Sequence, residues 1–323
     1  MEFSDRRGLK DAAKAALEQA SCDPKKLILI HTGAQLALSL VLNLISTLLQ
    51  QQIDSTQGLS GLGLASVLST IQMVLSLGQS LVLPIWQMGL VMTMLNISRG
   101  KAASANTLLD GFRRFGPALR LTLLRSGLIM GAMVAAVYLG VLLYMMMPIP
   151  ESMEAILMQP EAATDPAVLL SLGPVLLPFV GLMLLLFLVM VVPVIYRYRM
   201  ADHFLMDHPN AGALIALHMS QRMLFRKRLE LFKLDLHFWW YYVLEYLASL
   251  ILFGDILLLS LGISLPLSPT ALSYVVFVLY ALCTLALHWF AKDHLETTYA
   301  KAYDALLQDL PPMPGTPKPQ TEQ

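Results

Sequence analysis

Two charged side chains lie inside long apolar stretches of this chain, and they are the first candidates for chemistry. Arg125 lies five residues beyond Arg120, and Glu245 lies five residues beyond Trp240. At a rise of 1.5 Å per residue, each charge would lie about 7 to 8 Å into its membrane span. Equal depth permits a direct pair. A charge in a bilayer must be paired, protonated or exposed to water. We therefore predict an ion pair between Arg125 and Glu245; the alternatives are snorkelling of both groups to the interface, or a proton or substrate site.

Uncharged polar side chains recur at intervals of mostly three or four residues in the first two apolar stretches. They are His31, Gln35, Ser39, Asn43, Ser46 and Gln50 in the first, and Ser69, Gln72, Ser76, Gln79 and Gln87 in the second. Such spacing puts each set on one face of a helix, and we call these sets the polar stripes. We expect the stripes to face each other and to form hydrogen bonds across the helices. The alternative is a water-filled path of the kind a transporter needs, lined by His31, Gln35, Asn43, Gln72, Gln79 and Gln87.

Motifs for enzyme chemistry are few. His203 and Asp207 have the four-residue spacing of a metal site on a helix, next to Asp202 and His208. However, the sequence has no HExxH motif, no cysteine near this group, no GxSxG motif, no Walker A loop and no Rossmann glycine fingerprint. We therefore predict no catalytic, cofactor-binding or metal-binding residues, and we expect that the protein is not an enzyme.

Composition places the whole chain in the membrane class. Of its 323 residues, 56% are hydrophobic and 14% are charged, with a mean hydropathy of +0.63. An ordinary soluble domain is about 25% charged. The net charge is zero, so no basic excess indicates nucleic acid as a partner. The two cysteines, Cys22 and Cys283, do not suggest a disulfide framework.

The elements that must position the polar residues are membrane-spanning helices. Hydrophobic stretches predict six spans, at about residues 27–50, 67–97, 119–147, 171–196, 238–262 and 270–291. We expect a membrane domain over 27–296. A cytosolic amphipathic segment, 1–26, would precede it, and a helix end with a disordered proline-rich tail, 297–323, would follow it. The pair Asp23–Pro24 predicts the start of the first span's helix.

Basic residues predict the orientation of these spans. All 22 Lys and Arg residues fall on the side of the N-terminus or within a turn or two of that interface, so both termini are expected in the cytosol. The first 26 residues contain no apolar signal core, and we expect the first span to act as its own uncleaved signal. Candidates for contact with anionic headgroups and the interface are Arg226, Lys227, Arg228, Trp239 and Trp240.

The segment 207–240 carries a family resemblance. The residues that match the pattern are Pro209, Ser220, Arg222, Met223, Leu231, Phe232, Leu234, Asp235, Leu236, Phe238 and Trp240. In this run the chain resembles a bacterial multi-pass membrane family, domain of unknown function 975, and the stretches 7–17 and 299–306 are similar to the family's ends. Phe225 or Arg226 stands where that family usually has glycine, and His237 replaces a serine. The resemblance implies a bacterial integral membrane protein and no particular activity.

Together these observations predict an all-α, polytopic membrane helical bundle with six transmembrane helices and cytosolic amphipathic helices, in a bacterial plasma membrane. We expect a non-enzymatic membrane component that acts through lipid partners, with anionic headgroups foremost, or through another membrane protein. A transporter or permease-like subunit, with a polar path lined by spans 1 and 2, is the alternative. An intramembrane enzyme is kept as a third class.

Overall fold

A computed structural model describes residue 3 and the ranges 5–55, 62–146, 173–254 and 269–310. Within these ranges the chain is helical and forms no strand, which confirms the all-α fold class. Five described helical segments are long and apolar enough to cross a membrane, and the number is six if a bent helix pair is counted as one span. The five are Pro24–Ile53, Gly63–Ser98, Phe115–Met145, Leu177–Asp207 and Ala271–Gln308. The predicted disordered tail, 311–323, lies outside the described residues.

We number the α-helices in chain order. They are α1 (Arg6–Glu18), α2 (Pro24–Ser55), α3 (Leu62–Ser98), α4 (Asp110–Arg113), α5 (Phe115–Met145), α6 (Gly173–Leu186), α7 (Val192–Arg197), α8 (Ala201–Asp207), α9 (Ala213–Met223), α10 (Arg228–His237), α11 (Trp239–Leu250), α12 (Pro269–Leu287) and α13 (Asp293–Gln308). Two π-helical turns join neighbouring helices, Phe187–Val191 between α6 and α7 and His288–Lys292 between α12 and α13. Short 3₁₀ helices are formed by Ala105–Leu109 and Ile251–Phe253.

Local sequence explains where α2 and α3 are bounded. The carboxylate of Asp23 accepts a hydrogen bond from the backbone N–H of Lys25 at 3.1 Å, and α2 begins at Pro24, as the Asp–Pro pair predicts. At the end of α3, Gly100 has φ +68°. Its N–H donates to the carbonyl oxygen of Ile97, and the N–H of Lys101 donates to the carbonyl oxygen of Asn96. This pair of hydrogen bonds is the Schellman motif. Glycine adopts this left-handed conformation without a steric penalty.

The described chain divides into two compact units. Unit 1 comprises residues 1–122 and 200–323, and unit 2 comprises residues 123–199. In unit 2, Ala136 of α5, Leu186 at the end of α6 and Val191 in the π-helical turn form a buried apolar cluster. The rings of Tyr144 and Phe179 meet edge to face at 4.8 Å. Unit 2 is therefore a small helical pair stabilised by apolar contacts.

Helix α3 is the centre of unit 1, where it packs against α1, α2, α4, α8 and α13. Two glycines permit its closest approach. A Cβ atom at Gly89 would lie 1.8 Å from the carbonyl oxygen of Leu108, and one at Gly111 would lie 2.1 Å from that of Ile85. No larger residue fits at either position without a shift of the backbone. This contact fixes the polypeptide after α3 directly against the helix.

The last helix, α13, is a core element of unit 1. It runs from Asp293 to Gln308, so the expected end of the membrane domain, 296, lies within it, and that boundary stays a prediction. Its buried side chains are mostly small or weakly polar; they include Thr297, Thr298, Tyr299, Ala300, Ala302, Tyr303 and Ala305. Such residues lower the hydropathy of a segment although they pack well, which is why the periodic apolar signal ends before the helix does.

Helices α10 and α11 meet at a sharp bend of 67° at Phe238. By length and composition, this bent pair corresponds to a broken span or to a re-entrant loop. The buried side of this pair includes Leu231, Leu234 and Tyr241, and these residues face the rest of unit 1.

Candidate functional site

A group of polar side chains surrounds the π-helical turn His288–Lys292 inside unit 1. We call it the π-turn cluster; its members are His31, Thr32, Gln87, Glu245, His288, Lys292 and Glu296. They come from α2, α3, α11, the π-helical turn and α13. A π-helical turn widens the helix by one residue, and such turns are frequent at functional sites. The position of this group within the spans makes it the strongest candidate site in the described chain.

His288 lies at the middle of the π-turn cluster and is 5% exposed. Its Nδ1 atom is 2.8 Å from the hydroxyl oxygen of Thr32, which is a hydrogen bond. Its Nε2 atom is 3.7 Å from a carboxylate oxygen of Glu245, within ion-pair distance but too long for a hydrogen bond. The ring of Tyr241 lies over it with centroids 6.3 Å apart. The imidazole therefore joins α2 to α11.

Lys292 brings a cation into the same cluster and is 7% exposed. The carboxylates of Glu296 and Glu245 are close enough for their charges to act on it. The amide of Gln87 donates to Glu296 at 3.0 Å, so that one polar-stripe residue is bonded to α13. These contacts place two acidic groups around one buried ammonium.

His31 is fully buried, and its ring is stacked on Trp86 with centroids 5.1 Å apart and planes inclined by 6°. The indole N–H of Trp86 donates to the backbone carbonyl of His31 at 3.1 Å. Neither ring nitrogen of His31 has a hydrogen-bond partner among the residues that the structure describes. A buried polar group in that state costs free energy, which marks the position as unusual.

The other polar-stripe residues have different surroundings. The amide of Gln79 donates to the hydroxyl of Ser39 at 3.4 Å and so joins the two stripes. Asn43 is exposed, and Gln72 is partly buried. Gln35 lines a small cavity of about 150 Å³ together with Ala34, Leu38, Val82, Trp86 and Phe112. A continuous path of water along the stripes remains a prediction.

The predicted ion pair between Arg125 and Glu245 also remains a prediction. Arg125 belongs to unit 2, whereas Glu245 belongs to unit 1 and forms its ion pair with His288. The sequence identified Glu245 as a charged residue inside an apolar span, but it did not identify His288 as its partner. Sequence spacing along α12 and α13 contains a signal for it, because positions 288, 292 and 296 are polar at intervals of four.

Arg99 is the centre of a second polar group, at the end of α3. Its guanidinium forms a two-pronged contact with the carboxylate of Asp207, with one bond of 3.0 Å, and a second contact with Asp304 through Nε at 3.1 Å. Tyr303 donates its hydroxyl hydrogen to Asp207 at 3.0 Å. The hydrogen bonds to Asp207, with those to Asp304, raise the pKa of Arg99 above its ordinary value. This guanidinium is therefore charged at any physiological pH and ties α3 to α8 and α13.

The contact with Arg99 gives Asp207 a structural role. His203 is buried, and its ring lies over Tyr303 with centroids 5.7 Å apart. In the described part of the chain, no group of three or more His, Cys, Asp or Glu side chains is arranged to hold a metal ion. Asp207 instead contributes a structural ion pair.

The five candidates for interfacial contact lie on the turn before α10 and at the start of α11. Arg226 is exposed, and Lys227 forms an ion pair with Asp309. Arg228 is partly buried where α10 begins. Trp239 and Trp240 are 59% and 41% exposed. We call Arg226, Lys227 and Arg228 the basic turn.

Comparison with protein families decides the identity of the chain. The model of the family described as "Protein of unknown function (DUF975)" matches residues 1–305. The chain belongs to this family. This confirms the resemblance found in the segment 207–240. A search of curated proteins and a search of solved structures gave no match.

The backbone of the basic turn is unusual at one position. Arg226 has φ +65°, and it is the one described residue other than glycine with a positive φ. The backbone therefore uses a conformation that glycine adopts freely, and here an arginine adopts it.

Proposed function

We propose that this DUF975 protein is a non-enzymatic integral membrane component of the bacterial plasma membrane, with both termini in the cytosol, that acts through contacts with anionic lipid headgroups. The observation that carries the proposal is an exposed apolar face that runs through the bend from α10 into α11. Its residues are Phe225, Leu229, Phe232, Leu236, Trp239, Trp240 and Val243, all large and exposed.

The spacing of these residues supports contact with a bilayer. They recur every three or four positions, so they form one stripe on the pair of helices. The opposite side buries Leu231, Leu234 and Tyr241 in unit 1. An apolar stripe beside exposed charged residues such as Lys233 suits the boundary between lipid and water, and exposed tryptophans are typical of the headgroup level.

The positive charges of the basic turn also support contact with anionic headgroups. The basic turn immediately precedes the exposed stripe, so its cations would lie where a headgroup phosphate is expected. Lys227 is already paired with Asp309, whereas Arg226 is exposed and lies over the ring of Phe225 at 5.4 Å. Arg226 is therefore the side chain best placed for an anionic lipid.

The test compares affinities for phosphatidylglycerol and phosphatidylcholine, with the full-length protein in nanodiscs. We expect Arg226→Gln to weaken the apparent affinity for phosphatidylglycerol about fivefold, since a basic residue near the surface is worth about 1 kcal/mol. Asp309→Asn should have the opposite effect, because it releases the ammonium of Lys227.

Arg113→Gln is the matched control for these variants. Arg113 is also exposed, but its guanidinium is paired with Asp110 at 2.8 Å, so its loss should leave lipid affinity unchanged. Equal affinities of the wild type for the two lipids would contradict the proposal. So would an Arg226→Gln variant that behaves as Arg113→Gln does, which would point to a protein partner instead.

The cavity beside Gln35 favours a second candidate, a transporter or permease-like subunit. It is bordered by α2 and α3, and a residue of the first polar stripe lines it. Cysteines introduced at Gln35 and Gln79 should react with a water-soluble thiol reagent if the stripes line a wet path. Unreactive thiols at both positions, with a reactive control at exposed Lys101, would contradict this second candidate.

A further inference from the structure

The charges of the π-turn cluster are unequal when both histidines are neutral. Glu245 and Glu296 contribute two carboxylates, and Lys292 contributes one ammonium. Unbalanced charge in a low-dielectric region is costly, and one added positive charge would balance it. The cluster contains two imidazoles, His31 and His288, each of which can bind one proton.

Geometry selects His288 over His31 as the acceptor. The Nε2 atom of His288 faces a carboxylate oxygen of Glu245 at 3.7 Å, and its Nδ1 atom is bonded to the hydroxyl of Thr32. A protonated ring would thus have one oxygen acceptor for each N–H. The ring of His31 instead lies flat against Trp86, with no described acceptor at either nitrogen.

Glu245 connects this buried ring to the surroundings. The side chain of Glu245 is 47% exposed, whereas that of His288 is 6% exposed. The carboxylate therefore lies at the surface of the described fold, and the imidazole lies immediately behind it. Glu245 is placed as the outer member and His288 as the inner member of the pair.

We propose that Glu245, His288 and Thr32 form a proton-binding site within the membrane-spanning helices of unit 1. In the neutral state the His288 ring carries its hydrogen on Nδ1 and donates it to the hydroxyl oxygen of Thr32. A proton from water binds the Glu245 carboxylate and passes to Nε2 of His288. The imidazolium then donates to Glu245 through Nε2 and to Thr32 through Nδ1. One O–H bond breaks and one N–H bond forms, and no other covalent bond changes.

Other charged or titratable groups lie near His288 or near its neighbours in the cluster. They are His31 on α2, Tyr241 on α11, Lys292 in the π-helical turn and, beside Lys292, Glu296 on α13. The ammonium of Lys292 opposes uptake, and the carboxylate of Glu245 favours it. Removing the charge of Lys292 and removing that of Glu245 should therefore move the titration midpoint of His288 in opposite directions. This site lies on a different set of contacts from the basic turn and does not depend on the lipid proposal.

Nuclear magnetic resonance of the full-length protein in nanodiscs, labelled with ¹³C at its seven histidines, tests the proposal. His288→Gln assigns the signal of His288, which we expect to change from that of a neutral to that of a protonated ring as the pH is lowered. Glu245→Gln should lower the midpoint by about one pH unit or more, a tenfold weaker hold on the proton. Lys292→Met should raise it by a similar amount, and Thr32→Val should lower it with little change of side-chain shape.

His218→Gln is the control, because His218 is exposed and lies outside the π-turn cluster. This variant should remove one signal and leave the titration of His288 unchanged. A His288 signal that does not titrate in the wild type would overturn the proposal. So would a midpoint that is the same in the wild type, Glu245→Gln and Lys292→Met; Thr32→Val keeps the test open if one charge variant fails to fold.

Discussion

Two described residues adopt the left-handed backbone conformation, and they end different elements. Gly100 does so after α3 with φ +68°, and Arg226 does so in the basic turn with φ +65°. Glycine is suited to this conformation, whereas a side-chain-bearing residue incurs a cost of about 1 to 2 kcal/mol. Arg226 therefore combines local backbone strain with an exposed charge, and the effects of these two properties can be separated by mutation.

We predict that Arg226→Gly raises the free energy of unfolding by about 1 kcal/mol relative to Arg226→Gln. Both variants remove the charge, but only the glycine variant removes the backbone strain. The measurement is unfolding by sodium dodecyl sulfate in mixed micelles, followed by loss of helical circular dichroism. Equal stability of the two variants would show that the turn is not strained at this position.

Single residues of the candidate site could be recognised from the sequence, but their partners could not. Glu245 and His31 were conspicuous because a polar group in an apolar helix must be satisfied. The contacts of Glu245 with His288 and of Thr32 with the same ring join residues far apart in the chain. Periodicity describes one helix at a time, so it contains no information on which helix faces which.

Arg99 links three helices of unit 1. It follows the last residue of α3 and contacts Asp207 at the end of α8 and Asp304 on α13. The planar guanidinium can satisfy both carboxylates at once because it donates along two edges. Lysine has the same charge but no such fork.

We predict that Arg99→Lys lowers the free energy of unfolding by about 2 kcal/mol, since two partly buried carboxylates lose hydrogen bonds while the charge is kept. The same denaturation experiment checks it. Arg113→Lys is the control, because its ion pair with Asp110 is exposed on the arginine side, and an exposed pair contributes about 0 to 1 kcal/mol. A loss no larger than that of the control would mean that Arg99 does not hold these helices together.

Elements differed in how well the sequence predicted them. The Asp23–Pro24 start of α2 and the apolar spans followed from capping and hydropathy. The continuation of the last span into α13 did not, because Ala, Thr and Tyr side chains fill its buried face. The bend between α10 and α11 was also outside the prediction, since no proline or glycine marks it. Such features depend on tertiary packing.

The fold class of the whole molecule follows from properties averaged over many residues, namely charge and hydropathy. A low charged fraction and long apolar stretches indicate a polytopic helical membrane protein whatever the individual contacts are. The described helices and the family match bear this out. The division into two units could not be read from the sequence, because it depends on which helices pack together.

We propose that the bend between α10 and α11 lies at the membrane surface, with the basic turn among the headgroups. Trp239 and Trp240 report on this position. A variant with Trp86→Phe and Trp289→Phe keeps them as the two remaining tryptophans of the four in the chain.

The most direct measurement is quenching of their fluorescence by lipids brominated at different depths, with the variant reconstituted in vesicles. We predict quenching about twofold or more stronger by lipids brominated near the headgroup than by those brominated near the chain ends. Stronger quenching from the chain ends, or none from any depth, would contradict the claim.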